Sequence, residues 1–297
     1  MTKTIVVVVG MSGGVDSTVS AYILQKQGYR VLGITMKIWP DEGNPKESKK
    51  NGCYGPGEIH DIQEAQIACE RLAIPHYVVD LTREYASSVM ENFFDEYQSG
   101  RTPNPCILCN PLIKFGALLA KARLSGIQFD RFATGHYARV SFNASQDRYA
   151  LKKGVDQKKD QSYFLYQLKQ SQLEQTIFPL GELNKEDVRT LAREVGFADF
   201  AEKPESQDFF DGGAYQHLFE SSKLQKGNIL DLQGKILGRH NGIINFTIGQ
   251  RKGLNIGGSE EPLYVLEKDA LSNNIVVGPK QYLAVDRLIA FNVNWIA

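Results

Sequence analysis

The chain has 297 residues, of which 42% are hydrophobic and 23% are charged. This composition is typical of a globular protein with a sizeable core, and the length favours about two domains. No apolar run approaches the roughly 20 residues of a membrane span and the N-terminus lacks a signal-peptide layout, so we expect a cytoplasmic protein. The 34 basic and 34 acidic residues balance, although Lys121–Gln161 holds nine Lys and Arg against four Asp. Such a basic stretch suits a nucleic-acid surface, but a solvated face is the commoner explanation.

The chain opens with a β-forming run, Ile5–Val9, followed by a glycine-dense turn and a helical pattern. Glycines let the backbone approach an anion, and the amides of a helix N-terminus point at it, so this turn predicts a phosphate site. It has neither the lysine of a P-loop nor a G-x-G-x-x-G pattern. Asp16 suits the helix dipole and is a candidate Mg2+ ligand. The predicted phosphate loop consists of Gly10, Met11, Ser12, Gly13, Gly14, Val15, Asp16 and Ser17.

Strands and helices alternate over the first 140 residues, which predicts an α/β fold with a doubly wound parallel sheet. Ligands bind such sheets at the carboxyl ends of the strands, so the phosphate loop, Met36 and Thr134–His136 should share one edge. His136 at this edge is equally compatible with a functional and a structural role. Residues 40–57 predict a loop. Further strands are predicted over 30–38, 76–81 and 131–134, and helices over 59–72, 82–97 and 112–124.

The second chemical signal is the pair Cys106 and Cys109 in a C-x-x-C pattern after two prolines. We expect a helix to begin there, and a helix N-terminus lowers a thiol pKa. A structural zinc site would need two more ligands at similar spacing, and a thioredoxin-like pair would need another fold. A catalytic or cluster-binding thiol pair is favoured beside a phosphate loop. We assign no chemistry to the remaining cysteines, Cys53 and Cys69.

The second half of the chain predicts a hairpin over 137–140 and 148–152, and then a helix with a capping signal at Asn184 and Asp187. From about residue 227 the pattern changes to short β-runs broken by glycines, which predicts a small β-rich domain. The chain stops within an apolar strand pattern at 288–296. We therefore expect a truncated chain.

The loop pattern S-G-G-x-D-S resembles that of the PP-loop ATP-pyrophosphatases, which cut ATP between its α- and β-phosphates and adenylate an oxygen atom. Four further motifs follow in order, and together the five resemble the tRNA-specific 2-thiouridylases (the MnmA/TrmU family). The motifs are G-M-S-G-G-V-D-S (10–17), G-R-T-P-N-P-x-x-x-C-N (100–110), T-G-H-Y-A (134–138), K-D-Q-S-Y-F-L (159–165) and G-R-H-x-G with T-I-G-Q-R-K-G-L (238–254).

The resemblance implies a tRNA-uridine 2-sulfurtransferase that uses ATP and Mg2+. The enzyme adenylates the C2 oxygen of wobble uridine 34, in tRNAs with Glu-, Gln- or Lys-type anticodons, and sulfur from a donor then displaces AMP. It also implies three regions: a PP-loop catalytic domain over 1–210, a small β-rich tRNA-binding domain over 211–283, and the start of a truncated β-barrel over 284–297.

The resemblance assigns roles to single residues. Gly10–Ser17 hold the phosphates with Asp16 in the catalytic set, and Cys109 is the catalytic cysteine. Met36 and Gly135 contact the nucleoside of ATP. The residues implied in tRNA binding are Asn104, Pro105 and Cys106, which meet the flipped-out base, and Lys159, Asp160 and Gln161.

The chain departs from the family at two positions. An acidic residue is common where this chain has Cys106, and a second cysteine is common where it has Phe210. Two mechanisms remain open. Cys106 and Cys109 hold a [4Fe-4S] cluster with Asp208 or Asp211 as third ligand, which we favour, or they form a persulfide–disulfide relay.

Two other functions compete with this assignment. A PP-loop amide-forming ligase would act on a small carboxylate and would not need Cys109. A non-catalytic RNA-binding protein would use the C-x-x-C pair for zinc, and the intact phosphate loop argues against it.

Overall fold

The computed structural model describes residues 4–40, 52–204, 208–210, 215–219, 224–257 and 261–296. It divides into two compact units: Met1–Ser88 with Pro105–Gly213 and Asn294–Ala297, and Val89–Asn104 with Ala214–Val293. The strands are β1 (Val6–Gly10), β2 (Arg30–Lys37), β3 (Gly52–Tyr54), β4 (His76–Asp80), β5 (Arg131–Ala133), β6 (Ala138–Asn143), β7 (Arg148–Lys153), β8 (Thr176–Ile177), β9 (Asp208–Phe210), β10 (Gly227–Leu230), β11 (Ile236–His240), β12 (Tyr264–Asp269) and β13 (Asn274–Gly278). The α-helices are α1 (Val15–Lys26), α2 (Glu58–Arg71), α3 (Thr82–Tyr85), α4 (Glu91–Gln98), α5 (Pro105–Leu108), α6 (Leu118–Leu124), α7 (Gln170–Glu174), α8 (Lys185–Glu194) and α9 (Ala198–Ala201).

The first unit is built on a parallel sheet of five strands in the order β4-β2-β1-β5-β8. The central strand β1 is buried on both faces because its side chains are short, branched and apolar, as is typical of a parallel sheet covered by helices. Helices α1, α2 and α8 pack together beside this sheet, with Val188 and Ala192 fully buried on α8. The predicted doubly wound α/β fold is confirmed.

Local signals set several element ends. The backbone N–H of Asn184 donates to the Asp187 carboxylate at 3.2 Å, which confirms the predicted start of α8. The predicted hairpin is also confirmed, because β6 and β7 pair antiparallel from Ala138–Lys153 to Asn143–Arg148.

The helical run Pro105–Leu124 joins the helix start expected at the C-x-x-C pair to the helix predicted over 112–124. Its middle, Cys109–Ala117, is a π-helix, and the absence of a side chain on Gly116 lets the chain pass close to the Pro111 carbonyl. The Gln172 amide donates to the carbonyls of Pro111 and Phe115 at 2.8 and 3.0 Å. The Gln172 side chain therefore supplies a donor from outside the helix to two backbone oxygens of this widened segment.

The same run is long and apolar enough to cross a membrane by length and composition, contrary to the sequence-based expectation. Its buried positions include Cys109, Ile113 and Phe115. Burial in the core of a protein also requires an apolar helix, so this property is weak support for a span.

Residues 52–54 are a strand, so the predicted loop over 40–57 is wrong at these positions. β3 pairs parallel with β9, with Tyr54 opposite Phe210. The Tyr54 ring stacks on Phe209 at 5.6 Å and on Tyr85 at 5.2 Å between centroids, and Trp39 meets it edge-on at 4.8 Å. These long-range aromatic contacts fix a strand that its own composition does not predict.

The second unit contains a four-stranded sheet in the order β11-β10-β13-β12 and the helix α4. The short β-runs predicted from about residue 227 are confirmed by β10, β11, β12 and β13. The unit also holds a cluster of aromatic rings, in which Tyr97 and Tyr215 stack with centroids 4.8 Å apart and Phe93 lies edge-on to both.

The strand predicted over 288–296 is not formed. Among the described residues no strand pairs with this segment, and its backbone lies without regular structure. Asn294 instead donates its side-chain amide to the carbonyls of Tyr166 and Leu168 in the first unit, at 2.9 and 3.1 Å.

Candidate active site

A cavity of about 310 Å3 opens at the carboxyl ends of β1, β2 and β5. This is the edge at which the sequence placed the phosphate loop, Met36 and Gly135, and all three contribute to its wall. The lining residues are Gly10, Met11, Ser12, Asp16, Ser17, Ile34, Thr35, Met36, Cys53, Glu58, Asp61, Ile62, Lys114, Leu118, Phe132, Thr134, Gly135, His136 and Gln161.

The phosphate loop is held by its own serines. The Ser12 N–H donates to Ser17 Oγ at 3.2 Å, and Ser17 Oγ donates to the Gly14 carbonyl at 3.1 Å. Gly13 has φ +74°, and a Cβ there would lie 2.7 Å from the Asp61 carbonyl oxygen. Glycine is therefore required both by the backbone angle and by the approach of α2.

Asp16 is an ion-pair partner in this structure. Both of its carboxylate oxygens lie 2.8 Å from Lys185 Nζ, and one accepts a hydrogen bond from the Tyr137 hydroxyl at 2.9 Å. The Lys185 side chain is 7% exposed and that of Asp16 is 32% exposed. The Asp16 carboxylate, which the sequence analysis considers as an Mg2+ ligand, is thus neutralised by a lysine 169 residues away. No local sequence pattern indicates this ion pair.

Gly135 brings the end of β5 against the start of α1. A Cβ on Gly135 would lie 2.9 Å from the Asp16 carbonyl carbon and 3.0 Å from the Ser17 nitrogen. The next residue is His136, and a hydrogen bond of 2.7 Å joins its Nδ1 to Thr134 Oγ1. Burial, assisted by the nearby Lys114 cation, lowers the pKa of His136 to about 3, so the imidazole is neutral at pH 7.

Glu58 occupies the first turn of α2 and closes another side of the cavity. Its carboxylate accepts hydrogen bonds from the backbone N–H of Ile38 at 2.7 Å and of Trp39 at 2.9 Å. Burial raises the pKa of Glu58 to about 7, although these two hydrogen bonds oppose the shift. Glu58 therefore holds the backbone of Ile38 and Trp39, which directly follows β2.

The Cys109 thiol does not behave as a helix N-terminus predicts. Cys109 lies in the second turn of the helical run, is buried, and has its pKa raised by burial to about 11, with Lys114 opposing the shift. The expectation that its thiolate is favoured by the helix start is wrong, because desolvation outweighs the dipole.

Two further side chains join this site. The thiol of Cys53 and the ammonium group of Lys114 both line the cavity, and both interact electrostatically with Cys106 and Cys109. Burial lowers the pKa of Lys114, but the neighbouring thiols raise it further, so the lysine is a cation at neutral pH. No sequence pattern indicates either residue, because their positions beside the cavity depend on the packing of separate elements.

The residues predicted to bind tRNA differ from one another in burial and in their hydrogen-bond partners. Gln161 lines the cavity and accepts from the Tyr137 N–H at 3.0 Å. The Asp160 carboxylate accepts from Gly154 N–H at 3.0 Å and from Ser162, so it also holds a turn. Lys159 is partly exposed, Asn104 is exposed, Pro105 is buried and Cys106 is partly exposed.

The assignment of Cys106, Cys109, Asp208 and Asp211 as metal ligands stays a prediction. Asp208 is described as part of β9 by its backbone alone, and Asp211 lies outside the described residues. Among the side chains that are described, no three from His, Cys, Asp and Glu lie close enough together to hold a metal ion.

Two protein-family models match this chain. The model described as the tRNA methyl transferase HUP domain matches residues 5–210, and that described as the tRNA methyl transferase PRC-barrel domain matches residues 216–279. A tRNA-specific 2-thiouridylase MnmA from Endomicrobium trichonymphae is 48% identical over 291 residues, covering 97% of this chain and 80% of that protein. The chain belongs to the tRNA-specific 2-thiouridylase family.

Other members of the family agree in their names. A tRNA-specific 2-thiouridylase from Thermoanaerobacter sp. (strain X514) is 46% identical over 98% of this chain and 79% of its own length. One from Geotalea uraniireducens is 47% identical over 98% of this chain and 77% of its own length. The resemblance drawn from the five motifs and the enzyme class that it implied are confirmed. The descriptions of the family models mention methyl transfer, and the names of the relatives mention thiolation. Both refer to tRNA.

Proposed function

We propose that this 2-thiouridylase-family chain uses ATP to adenylate the C2 oxygen of wobble uridine 34 in tRNA and then replaces that oxygen with sulfur. The observation that carries the proposal is the convergence of the phosphate loop, Met36 and Gly135 on one cavity. The amide groups of the loop and of the start of α1 supply donors for phosphate oxygens, and Gly135 lets the end of β5 lie close to the backbone of Asp16 and Ser17.

The nucleotide is proposed to lie with its phosphates on Gly10–Ser17 and its nucleoside against Met36 and Gly135. Lys114 is the cation of this cavity that stands beside the thiols, where it would stabilise negative charge developing on the α-phosphate or on sulfur. Mg2+ is proposed to enter with ATP, bound to its phosphates, since Asp16 is already paired with Lys185.

The sulfur chemistry is proposed to use Cys109 and Cys106. In the relay, Cys109 carries a persulfide whose outer sulfur attacks the adenylated carbon. A [4Fe-4S] cluster on Cys106, Cys109 and Asp208 or Asp211 would supply an iron atom that binds sulfide. The relay uses only thiols that the structure describes, whereas the side chains of Asp208 and Asp211 lie outside it, so both routes stay proposals and the cluster stays the favoured one.

The substrate is proposed to be a tRNA with a Glu-, Gln- or Lys-type anticodon, and sulfur to come from a separate donor in the cytoplasm. Asn104, Pro105 and Cys106 would meet the flipped-out base, and Lys159, Asp160 and Gln161 would contact the tRNA. We further propose that 1–210 is the catalytic domain and that 211–283 binds tRNA. Phosphate contacts of this kind make binding weaken as salt concentration rises.

The test measures AMP and pyrophosphate released from ATP in the presence of tRNA with uridine at position 34, compared with the same tRNA carrying cytidine there. We expect AMP to form with the uridine tRNA and to be lost in Ser12→Ala with Ser17→Ala. AMP formation that is independent of tRNA but requires a small carboxylate and ammonia would support an amide-forming ligase instead.

A further inference from the structure

The wall of the nucleotide cavity carries more acidic than basic side chains. Among the described residues that line it, Asp16, Glu58 and Asp61 carry carboxyl groups, and Lys114 carries an ammonium group. His136 adds no charge, because its imidazole is neutral at pH 7. A triphosphate is itself strongly anionic, and like charges repel over the short distances within a cavity. A site that binds ATP therefore requires some of these carboxylates to be neutralised.

Glu58 has a weaker effect on an anion than its formal charge indicates. Its carboxylate accepts hydrogen bonds from the backbone N–H groups of Ile38 and Trp39. Burial raises the pKa of Glu58 to about 7, so part of the population is protonated and uncharged at neutral pH.

Asp16 is the carboxylate that belongs to the phosphate loop itself. It lies in the first turn of α1, where a negative charge stabilises the positive end of the helix. The same turn supplies the amide groups of the proposed phosphate site, and Gly10, Ser12 and Ser17 line the cavity together with Asp16. The charge that stabilises the helix start therefore repels a phosphate group that binds to the same amides.

Lys185 neutralises this charge from behind the cavity wall. Its Nζ lies 2.8 Å from each carboxylate oxygen of Asp16, and the Tyr137 hydroxyl donates to one of these oxygens at 2.9 Å. The Lys185 side chain is 7% exposed and is not among the described residues that line the cavity. It therefore pairs with Asp16 without occupying the space that a ligand needs.

The backbone of Lys185 is held by contacts that do not involve Asp16. Its N–H donates to the Asp156 carboxylate at 3.0 Å. Lys185 is also the first residue of α8, whose start is fixed by the hydrogen bond from Asn184 to Asp187, and α8 packs against α1. The ammonium group thus reaches Asp16 from a rigid element, as a preorganised counterion requires.

We propose that Lys185 is a positioning residue for ATP, which holds and neutralises the Asp16 carboxylate so that the phosphate loop accepts a triphosphate. The inference rests on the proposed function and adds a residue that none of the five motifs contains. It also gives a role to Tyr137 of the T-G-H-Y-A motif, whose hydroxyl shares the Asp16 carboxylate with Lys185. The feature of the ligand that Lys185 serves is its phosphate charge.

The test compares the wild-type chain with Lys185→Met, Lys185→Gln, Asp16→Asn and the double variant of Lys185→Met with Asp16→Asn. Lys185→Gln removes the charge but keeps a hydrogen-bond donor on the side chain. Lys26→Met is the matched control, because it removes one cation from the last turn of α1, about 15 Å along the helix from Asp16.

Two ligands separate charge from structure. Equilibrium dialysis measures the binding of MgATP at about 50 mM and about 0.5 M salt, between which the screening of charges changes strongly. Ligand-observed NMR measures the binding of adenosine, which has the same nucleoside and no phosphate. Thermal melting shows whether each variant is folded.

We expect Lys185→Met and Lys185→Gln to bind MgATP about tenfold or more weakly than the wild type at low salt, because the Asp16 charge is then uncompensated. This loss should shrink at high salt, since salt screens the repulsion. The affinity for adenosine should be similar in all variants. The double variant and Lys26→Met should bind MgATP nearly as well as the wild type.

Asp16→Asn tests the same inference without removing Lys185. It should bind MgATP at least as tightly as the wild type, because the repulsive charge is gone. Weaker binding of MgATP by this folded variant would overturn the inference and would indicate that Asp16 itself holds the Mg2+ of the nucleotide.

Other results would also overturn the inference. Equal affinities for MgATP in the wild type and in the two Lys185 variants would show that Asp16 needs no counterion. A parallel loss of adenosine and MgATP binding at both salt concentrations, or a double variant as weak as Lys185→Met, would assign Lys185 a purely structural role.

The two proposals fail in different ways. A folded wild-type chain that binds no ATP contradicts the proposed function, and the role of Lys185 with it. A wild-type chain that binds MgATP, beside Lys185 variants that bind it equally well, contradicts the role of Lys185 alone.

Discussion

The pair of Asp16 and Lys185 shows how a single buried cation fixes the start of α1. Lys185 is nearly buried, and both oxygens of Asp16 depend on it, with Tyr137 as the other described donor. We expect Lys185→Met to lower the free energy of unfolding by about 1–3 kcal/mol, because it leaves a partly buried carboxylate without its cation. Urea unfolding of the variant measures this loss.

Arg193→Met provides the comparison for that prediction. Arg193 pairs with Glu202 at 2.8 Å, but both side chains are largely exposed. The expected loss there is below about 1 kcal/mol, because solvent screens the pair. Equal losses in the two variants would show that the Asp16 pair has no special role, and recovery of stability by adding Asp16→Asn to Lys185→Met would support it.

His136 makes stability depend on pH. Its pKa is about 3 in the folded chain and about 6.5 in an unfolded chain, so the unfolded state binds the extra proton between these values. The free energy of unfolding therefore falls as pH drops below about 6.5, by up to about 1.4 kcal/mol per pH unit from this group. We expect His136→Gln to show a smaller loss between pH 7 and pH 5 than the wild type. Identical losses in both proteins would contradict a His136 that stays neutral in the folded chain.

At the scale of elements, the junction between β5 and α1 is limited by the space at Gly135. The Cβ of Gly135→Ala would meet backbone atoms of Asp16 and Ser17, which cannot move without displacing the helix start. We expect this variant to lose about 1–3 kcal/mol of stability and to bind ATP more weakly, measured by urea unfolding and by equilibrium dialysis.

Gly257→Ala is the control for Gly135→Ala, because a Cβ at Gly257 has no neighbour within 4 Å among the described residues. It should change stability by no more than about 0.5 kcal/mol. ATP affinity that is unchanged in Gly135→Ala would remove this junction from the proposed site.

The π-helix in the run Pro105–Leu124 depends on Gln172. Its amide serves two carbonyl groups, those of Pro111 and Phe115. We expect Gln172→Leu to lower the free energy of unfolding by about 1–3 kcal/mol, because buried carbonyls lose their donors. Gln66→Leu removes one exposed hydrogen bond to Glu70 on α2 and should cost about 0.5 kcal/mol or less. A similar cost for both variants would mean that solvent replaces Gln172.

At the scale of the whole molecule, the sequence predicts those structural features that depend on residues close together in the chain. The loop Gly10–Ser17 and the start of α8 at Asn184 follow from residues within a few positions of each other, and both are found as expected. Parallel strands then place Met36 and Gly135 at the same edge, since topology fixes which ends meet.

What the sequence does not predict depends on distant partners. β3 exists because it pairs with β9, more than 150 residues later, so the local sequence predicts a loop at Cys53. Lys185 reaches Asp16 only after folding, and the raised pKa of Cys109 follows from burial that a helix pattern does not reveal.

The central claim is that this chain converts uridine 34 of tRNA to 2-thiouridine, and nucleoside mass spectrometry tests it most directly. Unmodified tRNA of the Glu, Gln or Lys anticodon type is incubated with the protein, ATP, Mg2+ and a persulfide donor, then digested to nucleosides. We predict 2-thiouridine at position 34, formed with one AMP per sulfur and absent without ATP or with Cys109→Ala. Uridine left unchanged by the folded wild-type protein while ATP is consumed, or a methylated nucleoside in its place, would contradict the account.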